Sequence, residues 1–291
     1  MSSSRTLCAY SSAIPTRLQQ PALVPISLSG TEGINCLFDY TVVLMTPDAL
    51  THLSAENANF ALDDFLGRAM TVTIALDGSG SLGPGAEGHG SGTREISGLI
   101  TAAKMLRQQG RHALYQVTLR PWLQLATLTT DCKIFQDQTV IEIFDTLFTD
   151  YVFPLDKRLI ETYPKRDYQT QYNETDFAFF SRLCEEWGIN YFFEHSDGAH
   201  RLVVIDSIGA HRHSPSSAYH TVDFHASGKH RAADYLHTFT PDHQLTSGEY
   251  NTRDHDYTRT NADLNARRYD PRPTLHNQQA VYQWHVDANF S

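Results

Sequence analysis

The sequence lacks three features that would each assign it to a broad class. It has no apolar run approaching the roughly 20 residues of a membrane-spanning helix, and its first stretch, MSSSRTLCAYSS, has no apolar segment typical of a secretory signal. Basic residues are few, since 23 Lys and Arg stand against 33 Asp and Glu, for a formal charge of -10. We therefore predict no stable membrane insertion and no nucleic-acid partner, because a phosphate backbone needs clustered basic side chains.

Cysteine is also scarce, with four residues: Cys8, Cys36, Cys132 and Cys184. No two of them form a C-x-x-C pair, so their spacing indicates neither a zinc site nor a disulfide framework. We expect four reduced thiols in a chain that is made and kept in the cytoplasm, unless a signal-independent machine exports it.

The first 130 residues have the pattern of β structure. The composition, 41% hydrophobic and 19% charged, is that of a globular protein able to bury a sizeable core. Five β-branched or aromatic runs are separated by turn residues: LVPISL, CLFDYTVVLM, MTVTIAL, REISGLI and LYQVTLRPWLQL. Short strands at this spacing predict a barrel or a sandwich.

A glycine-rich segment, GSGSLGPGAEGHGSG at residues 78–92, separates two of these runs and predicts a long, mobile hairpin loop. It contains G-x-G-x-x-G at Gly78, Gly80 and Gly83, the spacing of a dinucleotide-binding turn. Such a turn needs a helix whose N-terminus holds the pyrophosphate, but Pro84 and further glycines follow here. We therefore predict no cofactor, and the sequence has neither a P-loop nor a G-x-S-x-G elbow.

After residue 130 the hydrophobic period becomes helical. In TVIEIFDTLFTDY, Thr139 and Glu142 form a T-x-x-E capping box that begins a helix. One face of that helix is apolar, and its residues are Val140, Phe144, Leu147, Phe148 and Tyr151.

A second helix is predicted within QYNETDFAFFSRLCEEWGINYFFEH, residues 171–195. Asn173 or Thr175 caps it, Asp176 favours its positive end, and Gly188 ends it in the left-handed conformation. Its apolar face is formed by Phe177, Phe180, Leu183, Cys184 and Trp187.

Glu185 and Glu186, in the last turn of the second helix, raise the question of a catalytic carboxylate pair. Adjacent residues on a helix point about 100° apart and do not converge on one substrate atom. We interpret both as solvated surface residues.

Beyond the second helix the pattern returns to strands. INYFFEH and HRLVVIDS predict a hairpin around Ser196, Asp197 and Gly198. YHTVDFH, DYLHTFT and GEYNTRD indicate that a second β unit begins near residue 216.

Histidine is the remaining candidate for chemistry, with 15 residues. His211 and His213, at alternate positions, and the segment Asp254 to Asp256 offer ligand-type side chains. No third ligand is fixed by spacing, and the histidine pair lies beside Pro215 and two serines in a predicted loop. We predict a surface pair, and thus no catalytic, cofactor-binding or metal-binding residue.

Several long segments resemble one known family. These are TLRPWLQLATLTTDCKIFQDQTVIEIF, YPKRDYQTQYNETDFAFFSRLCEEWGINYFFEH with LVVIDS, and LTSGEYNTRDHDYTR. They are similar, in order, to the N-terminal part of the valine-glycine repeat protein G (VgrG) family, the spike proteins of the type VI secretion system. The sequence departs from the family pattern at His255, where Tyr is more frequent, and at Thr260 and Asn261, where a Pro is usual.

The resemblance implies an α+β, mostly antiparallel fold similar to a phage baseplate hub. We expect a first β-barrel at residues 1–130, an α+β linking domain with two helices at 131–215, and the start of a second β-barrel at 216–291. It further implies a homotrimer that joins a hexameric, Hcp-like tube to the spike needle, contacts baseplate components and helps to deliver effectors. We expect assembly in the cytoplasm, followed by export through the secretion system into the medium or a target cell.

The chain ends at VYQWHVDANFS, before the strands that the resemblance leads us to expect for closing a second barrel. We therefore expect this sequence to be part of a longer spike, and to be monomeric or weakly trimeric by itself. Two function classes stay open. One is a structural hub that catalyses nothing. The other is a cargo hydrolase or a ligand-binding module that uses the histidine-rich loops.

Overall fold

The computed structural model describes residues 6–48, 59–79, 89–109, 112–214, 216–225, 235–253 and 259–284. The chain divides into two compact units, Met1–His237 and Thr238–Ser291. The fold is mostly antiparallel β structure with few helices, as predicted. Within the described ranges, neither α-helix is long and apolar enough to cross a membrane.

The first unit is built on a six-stranded antiparallel sheet. In sheet order its strands are β1 (Thr6–Ser11), β6 (Ala69–Ser79), β7 (His89–Gln109), β8 (His112–Arg120), β5 (Asp39–Met45) and β4 (Val24–Thr31). A small ribbon of β2 (Thr16–Arg17) and β3 (Gln20–Pro21) lies between β1 and β4 in the chain. The two outer strands, β1 and β4, lie close together without pairing, so the sheet curls strongly.

Alternation of side chains explains how this sheet builds a core. In β5 every second residue is buried, namely Tyr40, Val42 and Leu44, as expected for a strand with one face inward. The same face of the sheet carries Val72 and Val117, both fully buried. This first core also includes Phe38, Phe65, Met70, Ile96, Ile100, Tyr115 and Leu119.

The glycine-rich segment does join two antiparallel strands, β6 and β7, whose last described pair is Ser79 with His89. Gly78 belongs to β6, so the strands run further into the segment than the sequence predicts. Gly80 and Gly83 lie outside the described residues. The mobility predicted for this loop therefore stays a prediction.

The run LYQVTLRPWLQL, residues 114–125, is β structure only in its first part. Strand β8 ends at Arg120, and a 3-10 helix follows at Trp122–Thr127. Pro121 lacks the N–H that a continued ladder needs. Trp122 and Leu123 are fully buried in the next core, which draws the chain out of the sheet.

Two α-helices follow where the sequence predicts them. The first, α1 (Val140–Phe148), begins with the complete capping box of Thr139 and Glu142. The second, α2 (Asp176–Trp187), is capped by the hydroxyl of Thr175, which accepts from the N–H of Ala178 at 3.1 Å. Asn173, the alternative cap, lies in β11 next to a register shift instead.

The remaining strands of the first unit surround these helices. Strands β9 (Thr130–Gln138) and β11 (Arg166–Thr175) form an antiparallel ribbon. Strands β10 (Leu155–Arg158), β13 (Ala199–Ile205) and β12 (Asn190–Ser196) form a sheet in that order, in which β10 and β13 are parallel. The predicted hairpin between β12 and β13 is confirmed, and Asp197 and Gly198 make its turn with positive φ angles of 55° and 73°.

A second core fills the space between α1, α2, the ribbon and the three-stranded sheet. It contains Trp122, Phe135, Phe144, Phe148, Phe179, Phe180, Leu183 and Tyr191, among others. The partly buried Phe193 packs against this core and also against the first.

The residues from 216 to 237, where the sequence predicts the start of a second β unit, still belong to the first unit. A 3-10 turn at Ser217–Tyr219 packs on β7, where the hydroxyl of Ser217 donates to the carbonyl oxygen of Ser91 at 3.2 Å. Strands β14 (Asp223–Phe224) and β15 (Tyr235–Leu236) form a minimal parallel pair. The compact division thus falls after His237, and the three-part division at 130 and 215 stays a prediction.

The second unit is a three-stranded sheet in the order β17 (Asn265–Tyr269), β16 (Glu249–Arg253) and β18 (Ala280–Trp284). Strand β16 is antiparallel to β17 and parallel to β18. Within the described residues of this unit no large apolar side chain is buried, and Tyr250, Tyr269 and Tyr282 are exposed.

Candidate functional site

A cleft of about 560 Å³ opens in the first unit, and most of the residues that line it are polar or charged. Its walls are residues 93–95 of β7, residues 192–197 on β12 and the turn that follows it, and part of the segment 212–219. Glu32, just after β4, also lines the cleft. Its volume lies within the ~300–1,000 Å³ typical of binding sites.

The position of the cleft follows from the length of β7. Strand β8 pairs with β7 only from Leu99 onward, whereas β6 pairs with β7 from His89 to Leu99. Residues 89–98 therefore have a sheet neighbour on one side alone, and the cleft lies on the other side.

An ionic network forms the floor of the cleft. The guanidinium of Arg94 contacts the carboxylate of Glu32, donates to the hydroxyl of Tyr40 at 3.2 Å and lies 5.4 Å from the ring centre of Tyr219. Burial acts to raise the pKa of Glu32, but its contacts with His195 and Arg94 outweigh that effect and hold the pKa below its usual value. The network is therefore charged at neutral pH.

His195 connects this network to the free side of β7. The backbone N–H of Ser97 donates to Nδ1 of His195 at 3.0 Å, and the carbonyl oxygen of Ser97 lies 3.1 Å from the same nitrogen. Its Nε2 lies 3.3 Å from the carboxylate of Glu32. Among the described residues, both ring nitrogens thus face a backbone group or a carboxylate rather than a hydroxyl or thiol.

Two polar groups at the cleft have neither an ion pair nor a hydrogen bond among the described residues, whereas Nε2 of His195 makes no hydrogen bond but lies within ion-pair distance of Glu32. The guanidinium of Arg212 lines the cleft without an ion pair, and the buried hydroxyl oxygen of Ser216 has no hydrogen bond. This lining favours ligand binding over catalysis, because polar groups without a protein partner can bond to a ligand and fix its orientation.

The structure does not bring the predicted histidine candidates together into a metal site. The ring of His211 stacks on Phe192 at 5.4 Å, while that of His213 lies 5.8 Å from His220. Within the residues that the structure describes, no group of three or more His, Cys, Asp or Glu side chains is placed to hold a metal. Asp254 to Asp256 lie outside those residues.

The two glutamates of α2 differ in their surroundings. Glu186 forms an ion pair with Arg166, whose guanidinium also lies 4.7 Å from the ring centre of Trp187. The interpretation of Glu186 as a simply solvated residue is therefore incomplete, while Glu185 is exposed at the helix end.

Sequence patterns did not identify Glu32, Arg94 or His195 as a group. They come from three distant positions of the chain and meet only through the curl of the first sheet and the fold of the β12–β13 hairpin. A local sequence motif does not predict contacts between residues this far apart in the chain.

Comparison with known proteins gives a consistent result. Residues 31–290 match the family described as phage tail baseplate hub (GPD). The type VI secretion system spike protein VgrG1a of Pseudomonas aeruginosa is 32% identical over 88% of this chain, and VgrG1b of the same organism is 35% identical over 74%. The chain spans only 37% and 27% of the lengths of these two relatives.

Solved structures share the fold. The E. coli c3393 protein, described as a type VI secretion component with similarity to T4 bacteriophage tail proteins gp27 and gp5, has a TM-score of 0.50 and 24% identity, over 69% of this chain and 49% of its own. A tail protein from Neisseria meningitidis MC58 has a TM-score of 0.56 and 10% identity, over 98% of this chain and 72% of its own.

Proposed function

This chain belongs to the phage tail baseplate hub (GPD) family and is a relative of the VgrG spike proteins, and from this membership we propose that it is a structural hub of a type VI secretion spike. The observation that carries the proposal is the family match over residues 31–290, which takes in the described elements of both units from β5 onward. The hub joins a hexameric tube to the spike needle and takes part in effector delivery.

We propose two barrels per subunit, and the strand arrangement of the first unit supports the first of them. In the first unit the outer strands β1 and β4 approach each other without pairing, which is the geometry of a sheet curled toward closure. The second unit offers one open sheet with little buried apolar surface among its described residues. We propose that residues 1–130 form the first barrel, 131–215 the link and 216–291 part of the second.

Three copies of such a two-barrel subunit present six similar surfaces, which match the symmetry of a hexameric tube. The trimer, the tube protein, baseplate components and effectors are accordingly the partners that we propose. Assembly takes place in the cytoplasm, and export follows through the secretion system itself.

A catalytic role receives less support. Nδ1 of His195 accepts from the N–H of Ser97 and its Nε2 lies 3.3 Å from Glu32, while His211 and His213 have separate neighbours. We propose that this chain is not an enzyme. The alternative, a cargo hydrolase or ligand-binding module that uses these histidines, predicts turnover of a peptide, ester or glycan substrate.

Light scattering tests the hub proposal. The chain alone is measured over a dilution series, next to a fusion in which the β-helical needle of a VgrG relative follows residue 291. We expect a monomer or weak trimer for the chain and a firm trimer for the fusion, which then caps purified hexameric tube rings in electron micrographs. A stable dimer or tetramer of the fusion would contradict the proposal.

A further inference from the structure

The free side of β7 offers unpartnered backbone groups to the cleft. In an antiparallel pair, alternate residues direct their N–H and C=O groups to opposite sides of a strand. Ile100 bonds through both groups to Gly67 and Arg68, on the side of β6. Ser97 directs its N–H and C=O to His195 instead, on the opposite side.

By this alternation, Thr93 and Glu95 direct their backbone N–H and C=O groups to the same side of β7 as Ser97 does. The β6–β7 register is continuous from Ser91 to Leu99, so all odd-numbered residues of this stretch direct their backbone groups away from β6. The carbonyl oxygen of Ser91 accepts from Ser217, which confirms the direction at the other end. Across the described residues, no group bonds to the N–H or C=O of Thr93 or Glu95 on that side.

The chain protects both ends of this edge and leaves its middle open. Ser217 covers it at Ser91, and the ring of His195 covers it at Ser97. At ~3.3 Å per residue, these two positions are about 20 Å apart. The middle, at Thr93 and Glu95, is the part that lines the cleft. An open strand edge is a template for another strand, and proteins cover such edges unless they are used.

We propose that the cleft binds an extended peptide segment of a partner protein, which adds as a strand to the β7 edge at Thr93 and Glu95. Backbone hydrogen bonds supply the affinity in this mode of recognition, and side-chain pockets supply the specificity. The free guanidinium of Arg212 selects an acidic residue in the segment, and the aromatic ring of Phe192, which stacks on the neighbouring His211, provides an apolar contact. The proposal does not depend on the hub role.

The occupant is a peptide rather than a small anion because the open groups are backbone donors and acceptors in strand spacing. A carboxylate or phosphate would use Arg212 and leave the N–H and C=O of Thr93 and Glu95 unpaired. An extended chain offers both donors and acceptors at the same repeat. The length between the protected ends favours a segment of about five to seven residues, at ~3.3 Å each.

A random heptapeptide library displayed on phage tests the proposal against the full 291-residue chain. Selected peptides are then synthesised with blocked ends and their Kd values are measured for the original protein and three variants. Thr93→Pro removes one edge N–H without touching the bonds to β6, Thr93→Val keeps that N–H as the matched control, and Arg212→Gln removes the cation.

We expect peptides rich in β-branched residues with one Asp or Glu. Their affinity falls at least tenfold with Thr93→Pro, stays within twofold with Thr93→Val and falls severalfold with Arg212→Gln. N-methylation of every second peptide residue reduces binding when the methylated N–H groups face β7 and leaves binding unchanged when they face away from it. This test uses the original protein, so it does not require the Thr93→Pro variant to fold. Failure to select any peptide, equal binding by Thr93→Pro, equal tolerance of N-methyl groups in both registers, or full competition by free glutamate would each overturn the proposal.

Discussion

The backbone N–H of Trp122 donates to Nε2 of His200 at 2.8 Å, inside the second core. His200 is 7% exposed and Trp122 is fully buried. The imidazole must therefore be neutral, with Nε2 free of a proton, for the chain to leave β8 and enter this core. Burial, together with the nearby charge of His195, lowers the pKa of His200 to about 3.

This bond predicts acid sensitivity. Because the unfolded state takes up a proton near pH 6.5 and the folded state near pH 3, the contribution of His200 is complete above the upper value and decreases as the pH falls between the two. We expect a loss of about 2 kcal/mol in the free energy of unfolding from pH 7.5 to pH 5. Urea titrations at both values measure it.

His200→Gln is the matched variant, since its amide oxygen accepts a hydrogen bond but does not titrate. The variant should be less stable than the original protein at pH 7.5 and lose less of its stability on going to pH 5. An equal loss of stability in both proteins would show that another group causes the acid sensitivity.

The ion pair between Arg166 and Glu186 predicts unequal effects of two neighbouring substitutions. The side chain of Arg166 is 10% exposed, so Glu186→Gln leaves a largely buried cation without its counter-charge. We expect a cost of about 1–2 kcal/mol, below the ~3–5 kcal/mol for breaking fully buried pairs, since Glu186 is partly solvated. Glu185→Gln, in the same turn, should stay within ~0.5 kcal/mol. Equal melting temperatures for the two variants would refute the assignment.

The end of α2 depends on the backbone conformation of Gly188, whose φ is 66°. A Cβ at this position would contact nothing within 4 Å, so a substitution acts through the backbone alone. Gly188→Ala should cost about 1–2 kcal/mol of unfolding free energy. Gly209→Ala is the control, since Gly209 is not among the glycines with positive φ and a Cβ there would meet its nearest neighbour at 3.8 Å. Calorimetry of both variants measures the difference.

Metal content tests the prediction made for His211 and His213. Their rings have different neighbours, Phe192 and His220, which does not favour a shared ion. We expect purified protein to contain far less than one zinc or iron ion per chain by elemental analysis. One ion per chain that disappears in the His211→Ala, His213→Ala double variant would instead favour the alternative function.

Local signals in the sequence predict the helices well. The capping box of Thr139 and Glu142, the Thr175 cap and Gly188 each act within one turn, so their effect is readable without the rest of the chain. Phe179, by contrast, was not assigned to the apolar face of α2, although it is fully buried. The ring centres of Phe179 and Phe135, which lies in the β9–β11 ribbon, are 5.5 Å apart. The ribbon covers this side of α2, and the helix sequence by itself does not indicate that cover.

Strand pairing is less accessible to sequence patterns. The parallel pairing of β10 with β13 joins segments more than 40 residues apart. The extra length of β7 beyond β8 likewise depends on where each partner strand ends. For the same reason the cleft, which exists because of that difference in length, could not be predicted from composition or spacing.

Phe193 has a consequence for cooperativity. Because its side chain packs against both cores, unfolding either core removes part of the packing that stabilises the other. We therefore expect the first unit to melt in one cooperative transition, with equal calorimetric and van't Hoff enthalpies, rather than as two independent domains. A load applied to one core is carried to the other in part through the aromatic ring of Phe193 on β12.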